Sequence, residues 1–412
     1  MNCVKLMFFF LVINICTVDA AVQVGVDCLF SPSYKELLQG KKIGLITNHT
    51  GIDSRGCSTI DLFKQYQKEY GYSLVALFAP EHGLRGDYHA EKSVADERDS
   101  DGIPVFSLHG VTRRPTSAML KDISLLVFDI QDVGSRSYTY TSTLFYAMEE
   151  AAKAKIPVVV LDRPNPLGAI VDGPMLEEKW RSFVGYVNVP YCHGMTVGEL
   201  AQFFNGEYQV GCQLTVIPMK EWKRWMVFKE TGLTWIPTSP QIPDAETAFF
   251  YPTTGLLGEL QIVNIGVGYT LPFRVVGAPW INAEKLAQYL NEQKNPGVHF
   301  HPFHYTPFFG RFAGQSCHGV LIVLKAPSLY LPVTTQYALL AALKALYPAQ
   351  FQNGLEGENE KRLKMFHTVN GTKEVYRILK EEPYVFWKLR AIHQKERSEY
   401  LRKRELYLIS QY

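Results

Sequence analysis

SLVALFAPEHGLRG, residues 73–86, carries the first decisive signal. An uncharged strand-forming run stops at Pro80, and Glu81 and His82 follow in a loop flanked by Gly83 and Gly86. A strand that is apolar on both faces belongs to a parallel sheet covered by helices on either side. Working outward, the same unit recurs. KKIGLITNHTG (41–51) is a strand with a polar loop behind it, and STIDLFKQYQKEY (58–70) places Ile60, Leu62, Phe63 and Tyr66 at helical spacing. IPVFSLHG (103–110) reads as a shorter strand and ISLLVFDIQDVG (123–134) as another buried one; TSTLFYAMEEAAKAK (141–155) is an amphipathic helix, and IPVVVLDRPNP (156–166) closes the series. Strands alternating with helices predict an α/β, Rossmann-like parallel sheet.

In open sheets of this kind, ligands bind beyond the carboxyl ends of the strands. Those ends carry Asn48 and His49, then Glu81, His82 and Arg85, then Asp132, and finally Asp162, Arg163 and Asn165. Separate strands thus deliver polar groups to one rim. Neither GxGxxG after the first strand nor GxxxxGK[ST] anywhere is present, so the sheet is not read as a nucleotide site.

The second half has a different character. In YCHGMTVGELAQFFN (191–205), Thr196 and Glu199 are spaced as a capping box, with His193 just upstream. ETGLTWIPTSPQIPD (230–244) is proline-rich and suits a cleft wall or a connection between domains. Regular alternation ends near Tyr251. GELQIVNIGVGYTLPF (258–273), a helix over 283–292, a strand at GVLIVLK (319–325), a helix over 334–347 and a charged helical stretch over 384–412 follow. We therefore expect a Rossmann-like catalytic domain over 22–248, a smaller α+β domain over 249–412, and an active cleft between them. Residues 1–20 read as a secretory signal: Lys5, an apolar run from Leu6 to Ile15, and a small residue at Ala20. The implied location is periplasmic or extracellular. Cys16 follows bulky residues, a poor context for lipid attachment, and no further run is long enough to span a bilayer.

Composition bounds the chemistry. The chain of 412 residues is 47% hydrophobic, enough for a large core, and its net charge of +2 gives no general pull toward nucleic acid. The five cysteines beyond the leader (Cys28, Cys57, Cys192, Cys212 and Cys317) form no CxxC. His299, His301 and His304 lack an HExxH context, so neither a metal nor an organic cofactor is expected. There is no GxSxG for a serine nucleophile. What remains is carboxylate chemistry. A carboxyl drawn partly out of water favours its protonated form, and a protonated acid can donate to a leaving oxygen, as in glycoside cleavage. Glu81 fits that role, with His82 or His193 to orient it. Asp132 is a second acid, Arg136 a clamp for a substrate carboxylate, and Tyr138 a binding surface.

GLITNHTG, FAPEHGLRG, FDIQDVGSRSYTY, LDRPNPLG with Gly173–Pro174, HGMTVGELAQFFN and PFRVVGAPW occur in this order. Together they resemble the NamZ-like exo-β-N-acetylmuramidase family over nearly the whole chain. The resemblance implies a glycosidase releasing N-acetylmuramic acid from the non-reducing ends of peptidoglycan fragments in cell-wall turnover. Glu81 would be the leading catalytic residue and Glu259 a further one, and the partner a peptidoglycan-derived glycan or muropeptide. Where the family often has arginine, this chain has Cys192 and Val267, positions that bear on recognition of the sugar's lactyl carboxylate. Rival readings are a non-catalytic muropeptide-binding protein of the same fold and a cell-wall esterase or amidase. Oligomeric state is not legible in the sequence.

Overall fold

Buried strands and capped helices alternate as the pattern requires. The computed structural model describes residues 22–87, 96–357 and 359–412; the expected signal segment, Cys16 included, lies outside the described residues. The first half supplies β1 (Lys42–Thr47), β2 (Ser73–Ala79), β3 (Glu97–Arg98), β4 (Pro104–Ser107), β5 (Leu125–Asp129) and β6 (Val158–Leu161). A short antiparallel pair, β7 (Val171–Asp172) and β8 (Cys192–His193), precedes β9 (Leu214–Ile217). Seven of these strands form one sheet in the order β3-β4-β2-β1-β5-β6-β9. Every pairing is parallel except β3 with β4. All residues of β5 and β6 are buried, as expected for strands covered on both faces.

Local chemistry sets the helix ends. Ser58 accepts from the Ile60 amide at the start of helix Thr59–Tyr70, and Gly71 ends that helix at φ +66°. Thr196 and Glu199 form the expected capping box at the head of helix Val197–Glu207.

Helix Thr247–Gly258 leads into the second half and ends against Glu259. Beyond it, β10 (Val275–Ala278), β11 (Val298–Tyr305) and β12 (Cys317–Leu324) form an antiparallel sheet in the order β10-β12-β11. Helix Ala283–Glu292 packs against it, helix Pro332–Leu346 packs against helices Ala283–Glu292 and Thr247–Gly258, and shorter helices follow. The fold is thus α/β with a mostly parallel central sheet and a smaller C-terminal part with its own sheet and helices.

The charged C-terminal stretch is not one continuous helix. It breaks into Val385–Ala391, Gln394–Arg404 and a final turn, and it returns to the first half. The Tyr400 hydroxyl donates to the His193 carbonyl at 2.6 Å, and the Tyr412 hydroxyl to Asp162 Oδ2 at 2.7 Å. The five cysteines are all free thiols, four of them buried. No helix among the described residues is long and apolar enough to cross a membrane.

Candidate active site

β2 ends at Ala79, and a tight turn closes with the Gly83 amide donating to the Pro80 carbonyl at 3.0 Å. His82 takes φ +71°, a left-handed conformation that non-glycine residues seldom adopt. Backbone strain of this kind clusters at functional sites. The turn leaves Glu81 only 9% exposed at the wall of a cleft of about 460 Å³. Thr139 Oγ1 donates to Glu81 Oε2 at 2.6 Å, and His109 Nε2 lies 3.6 Å from Glu81 Oε1. Thr139 comes from the loop after β5 and His109 from the end of β4. Three strand ends therefore converge on one carboxyl.

The opposite wall comes from the second half. Glu259, half-buried, lines the same cleft, as do Tyr251, Phe273 and Met365. Aromatic rings make the floor: Tyr138 meets Tyr140 and Tyr251 edge-on, with centroids 5.0 and 5.7 Å apart. The Tyr138 and Tyr140 hydroxyls donate to Thr238 Oγ1 and the Thr238 carbonyl at 2.8 and 2.6 Å. That anchoring fixes the proline-rich segment, whose Ser239, Pro240 and Gln241 form part of the wall. Burial, with Glu259 and Glu81 both within electrostatic reach, pushes the Tyr251 hydroxyl up to about 12. One neutral phenol thus senses both carboxylates.

Models of the N-terminal and C-terminal parts of the exo-β-N-acetylmuramidase NamZ match residues 43–246 and 249–409. The chain belongs to the NamZ family. It is 44% identical over 333 residues to the peptidoglycan β-N-acetylmuramidase NamZ of Bacillus subtilis strain 168, covering 80% of this chain and 79% of that one. A crystal structure of a DUF1343 family protein from Bacteroides fragilis is 40% identical, with a TM-score of 0.86 over 94% of this chain and 99% of that chain. A second from the same organism is 27% identical, with a TM-score of 0.70 over 95% and 99%.

Against this NamZ-family cleft, the rim residues expected from the sequence divide into two groups. Glu81, His82, Tyr138 and Glu259 line it. The rest lie elsewhere, and most hold the scaffold. Arg136 does not line the cleft as a substrate clamp: its guanidinium donates to the carbonyls of Pro174, Val189, Val369 and Asn370 at 2.7, 2.7, 3.2 and 2.8 Å. Burial lowers it to about 10. Asp132 does not line the cleft either. Its Oδ2 accepts from the Gly134 amide at 2.7 Å, and burial pushes it up to about 7. His193, 2% exposed, stands 4.0 Å from Asp132 and is held down to about 3 by burial and then by Arg404 and Arg136. It does not line the cleft, and the imidazole beside Glu81 is that of His109.

Asp162 is fully buried, accepting from Thr196 Oγ1, the Gly198 amide and Tyr412, so it anchors a helix start and the C-terminus. Arg163 pairs with buried Asp129 and donates to the Ile52 carbonyl. Asn165 donates to the Met195 carbonyl and accepts from the Leu167 amide. Asn48 accepts from Thr50 within its own turn, while His49 Nε2 lies 2.7 Å from the Pro237 carbonyl oxygen. Arg85 is exposed on the loop beyond His82. Strand ends are buried corners as well as ligand rims, and a polar side chain there serves whichever unpaired backbone group is nearest.

Thr139 and Tyr251 also line the cleft, and His109 stands beside Glu81, although the sequence pattern does not single them out. His109 ends a parallel strand just as Glu81 does, so the same reasoning reaches it. Tyr251 had no local signal, because its position depends on how the second half packs.

Proposed function

We infer that the chain is a glycoside hydrolase, an exo-β-N-acetylmuramidase that releases N-acetylmuramic acid from the non-reducing ends of peptidoglycan fragments. The observation that carries this reading is a largely buried glutamate, Glu81, gripped by Thr139 and beside His109, in a cleft whose other wall holds Glu259. The family relationship supports the bond type. In this reading Glu81 protonates the glycosidic oxygen as its bond to the anomeric carbon breaks. Water adds at that carbon and gives up its proton to Glu259, the second carboxylate of the cleft. The rings of Tyr138, Tyr140 and Tyr251 supply an apolar floor for a sugar face. Lys5 and the apolar run from Leu6 to Ile15 support export to the compartment where such fragments occur.

Release of chromophore from a β-N-acetylmuramic acid glycoside tests the assignment. Glu81→Gln should lower kcat by about 10²–10⁴-fold, the range for losing a general acid. Turnover equal to the native chain would remove Glu81 from the acid role, and binding without turnover by the native chain would leave a muropeptide-binding protein.

A further inference from the structure

A large hollow in the molecule's second half is separate from the cleft. It has a volume of about 1020 Å³, and none of its lining residues also lines the cleft. Its walls come from helix Pro332–Leu346, the 293–296 loop and the start of helix Val385–Ala391. On its rim Tyr384 and Trp387 are 84% and 70% exposed. A lone exposed ring is ordinary, but two within one helical turn beside a concavity mark an interaction site.

The charge of the hollow is one-sided. Lys294, Lys344 and Arg390 line it, and among the described residues no carboxylate does. The Arg390 guanidinium lies 5.3 Å from the Trp387 ring centroid and 5.8 Å from that of Phe386, which holds a cation on the rim beside the rings. Lys344 Nζ donates to the carbonyls of Leu379 and Glu382 at 2.6 and 2.7 Å, so its charge is fixed in the wall. The Asn295 amide nitrogen is buried with no hydrogen-bond partner.

The hollow continues past Trp387 and Arg390 into a second one of about 340 Å³, which shares Leu331 and Thr334 as well. There Tyr337 is 2% exposed, and its hydroxyl has no hydrogen-bond partner. Asp172 in that wall is taken up by the Thr334 amide, the Thr334 hydroxyl and the Gly173 amide. The result is an elongated groove with rings at its waist, cations along it and unsatisfied donors in its walls. Ring faces suit pyranose faces, amides and hydroxyls suit sugar hydroxyls and acetamido groups, and cations suit carboxylates. A concave groove made of two hollows that share lining residues suits a chain better than a flat membrane surface.

We propose that this groove is a second, non-catalytic site that holds an anionic glycan, the N-acetylmuramic acid-bearing strand of peptidoglycan, while the cleft works on a free end. The choice of glycan rests on the muramidase reading; the groove's preference for an anionic, ring-bearing chain does not. The test uses the full chain carrying Glu81→Gln, with and without Tyr384→Ala, Trp387→Ala and Arg390→Ala together. Binding is read by co-sedimentation with insoluble peptidoglycan. It is also read by calorimetry with a soluble, peptide-free glycan whose non-reducing end is N-acetylglucosamine. The triple substitution should weaken both by about tenfold or more, the usual cost of removing aromatic and arginine anchors. The same three substitutions in the chain with Glu81 intact should leave hydrolysis of the small chromogenic glycoside within about twofold of native, as for surface positions away from a site. Unchanged glycan binding by the triple variant overturns the proposal, as does groove-dependent binding of stem peptide or anionic vesicles with none of glycan. Groove-dependent glycan binding by a chain that hydrolyses nothing upholds the groove and removes the muramidase reading instead.

Discussion

Replacing Arg136 with methionine separates two accounts of a conspicuous residue. Helix Glu360–Asn370 ends with carbonyls that have no partner within the helix, and Arg136 donates to the last two of them, on Val369 and Asn370. The same guanidinium donates to Pro174 and Val189 in the first half. It therefore ties the two halves together and places a cation at the negative end of a helix that carries the cleft residues Met365 and Val369. The fit is close: a Cβ on Gly371, at φ +74°, would meet Arg136 Nη2 at 2.7 Å and the Leu176 Cα at 3.0 Å. Leaving two of the four carbonyls dry costs about 2–6 kcal/mol, and relieving a desolvated cation returns part of that. Arg136→Met should thus lose about 2–4 kcal/mol of stability. Urea unfolding followed by tryptophan fluorescence measures this as a lower midpoint with little change in slope. A variant with native stability and only a raised KM would refute the reasoning and restore Arg136 as a substrate clamp.

Two further outcomes are expected. Thr139→Val removes the 2.6 Å donor to Glu81. It should lower kcat on the chromogenic glycoside by about tenfold while costing only about 0.5–1.5 kcal/mol of stability; an unchanged kcat would show that the carboxyl needs no such grip. Asp132 is raised by burial from 3.8 to about 7, so the folded state prefers its protonated form. Its contribution is fully present below the unfolded value and is lost as pH rises through about 7. Asp132→Asn cannot ionise, so its stability relative to native should improve between pH 4 and pH 8 by about 3–4 kcal/mol. The opposite trend below pH 6.5 belongs to His193, whose depressed value makes protonation unfavourable to the fold as pH falls. Denaturation midpoints of both proteins across that range check the sign, and parallel curves would contradict it.

Much of the fold could be read in runs of neighbouring residues. Buried strands such as Leu125–Asp129 are continuously apolar, and the Thr196–Glu199 cap is a four-residue motif. Both are set by interactions that span a few residues, so their pattern is local. The turn after Phe78-Ala79 was legible for the same reason, and with it the placement of Glu81 at a strand end. Which rim residues reach the cleft was not local. Asp162, Arg163 and Asn165 have the same chemistry as a binding set, but the C-terminal Tyr412, the distant Asp129 and the Met195 carbonyl claim them. Arg136 is claimed by carbonyls more than two hundred residues away in sequence, including Asn370. A polar side chain pairs with whatever buried group the packed chain leaves beside it. Alternating runs thus assign strand and helix from local chemistry, whereas only the packing of the second half against the first turns Glu259 and Tyr251 toward Glu81 and Arg136 away from solvent.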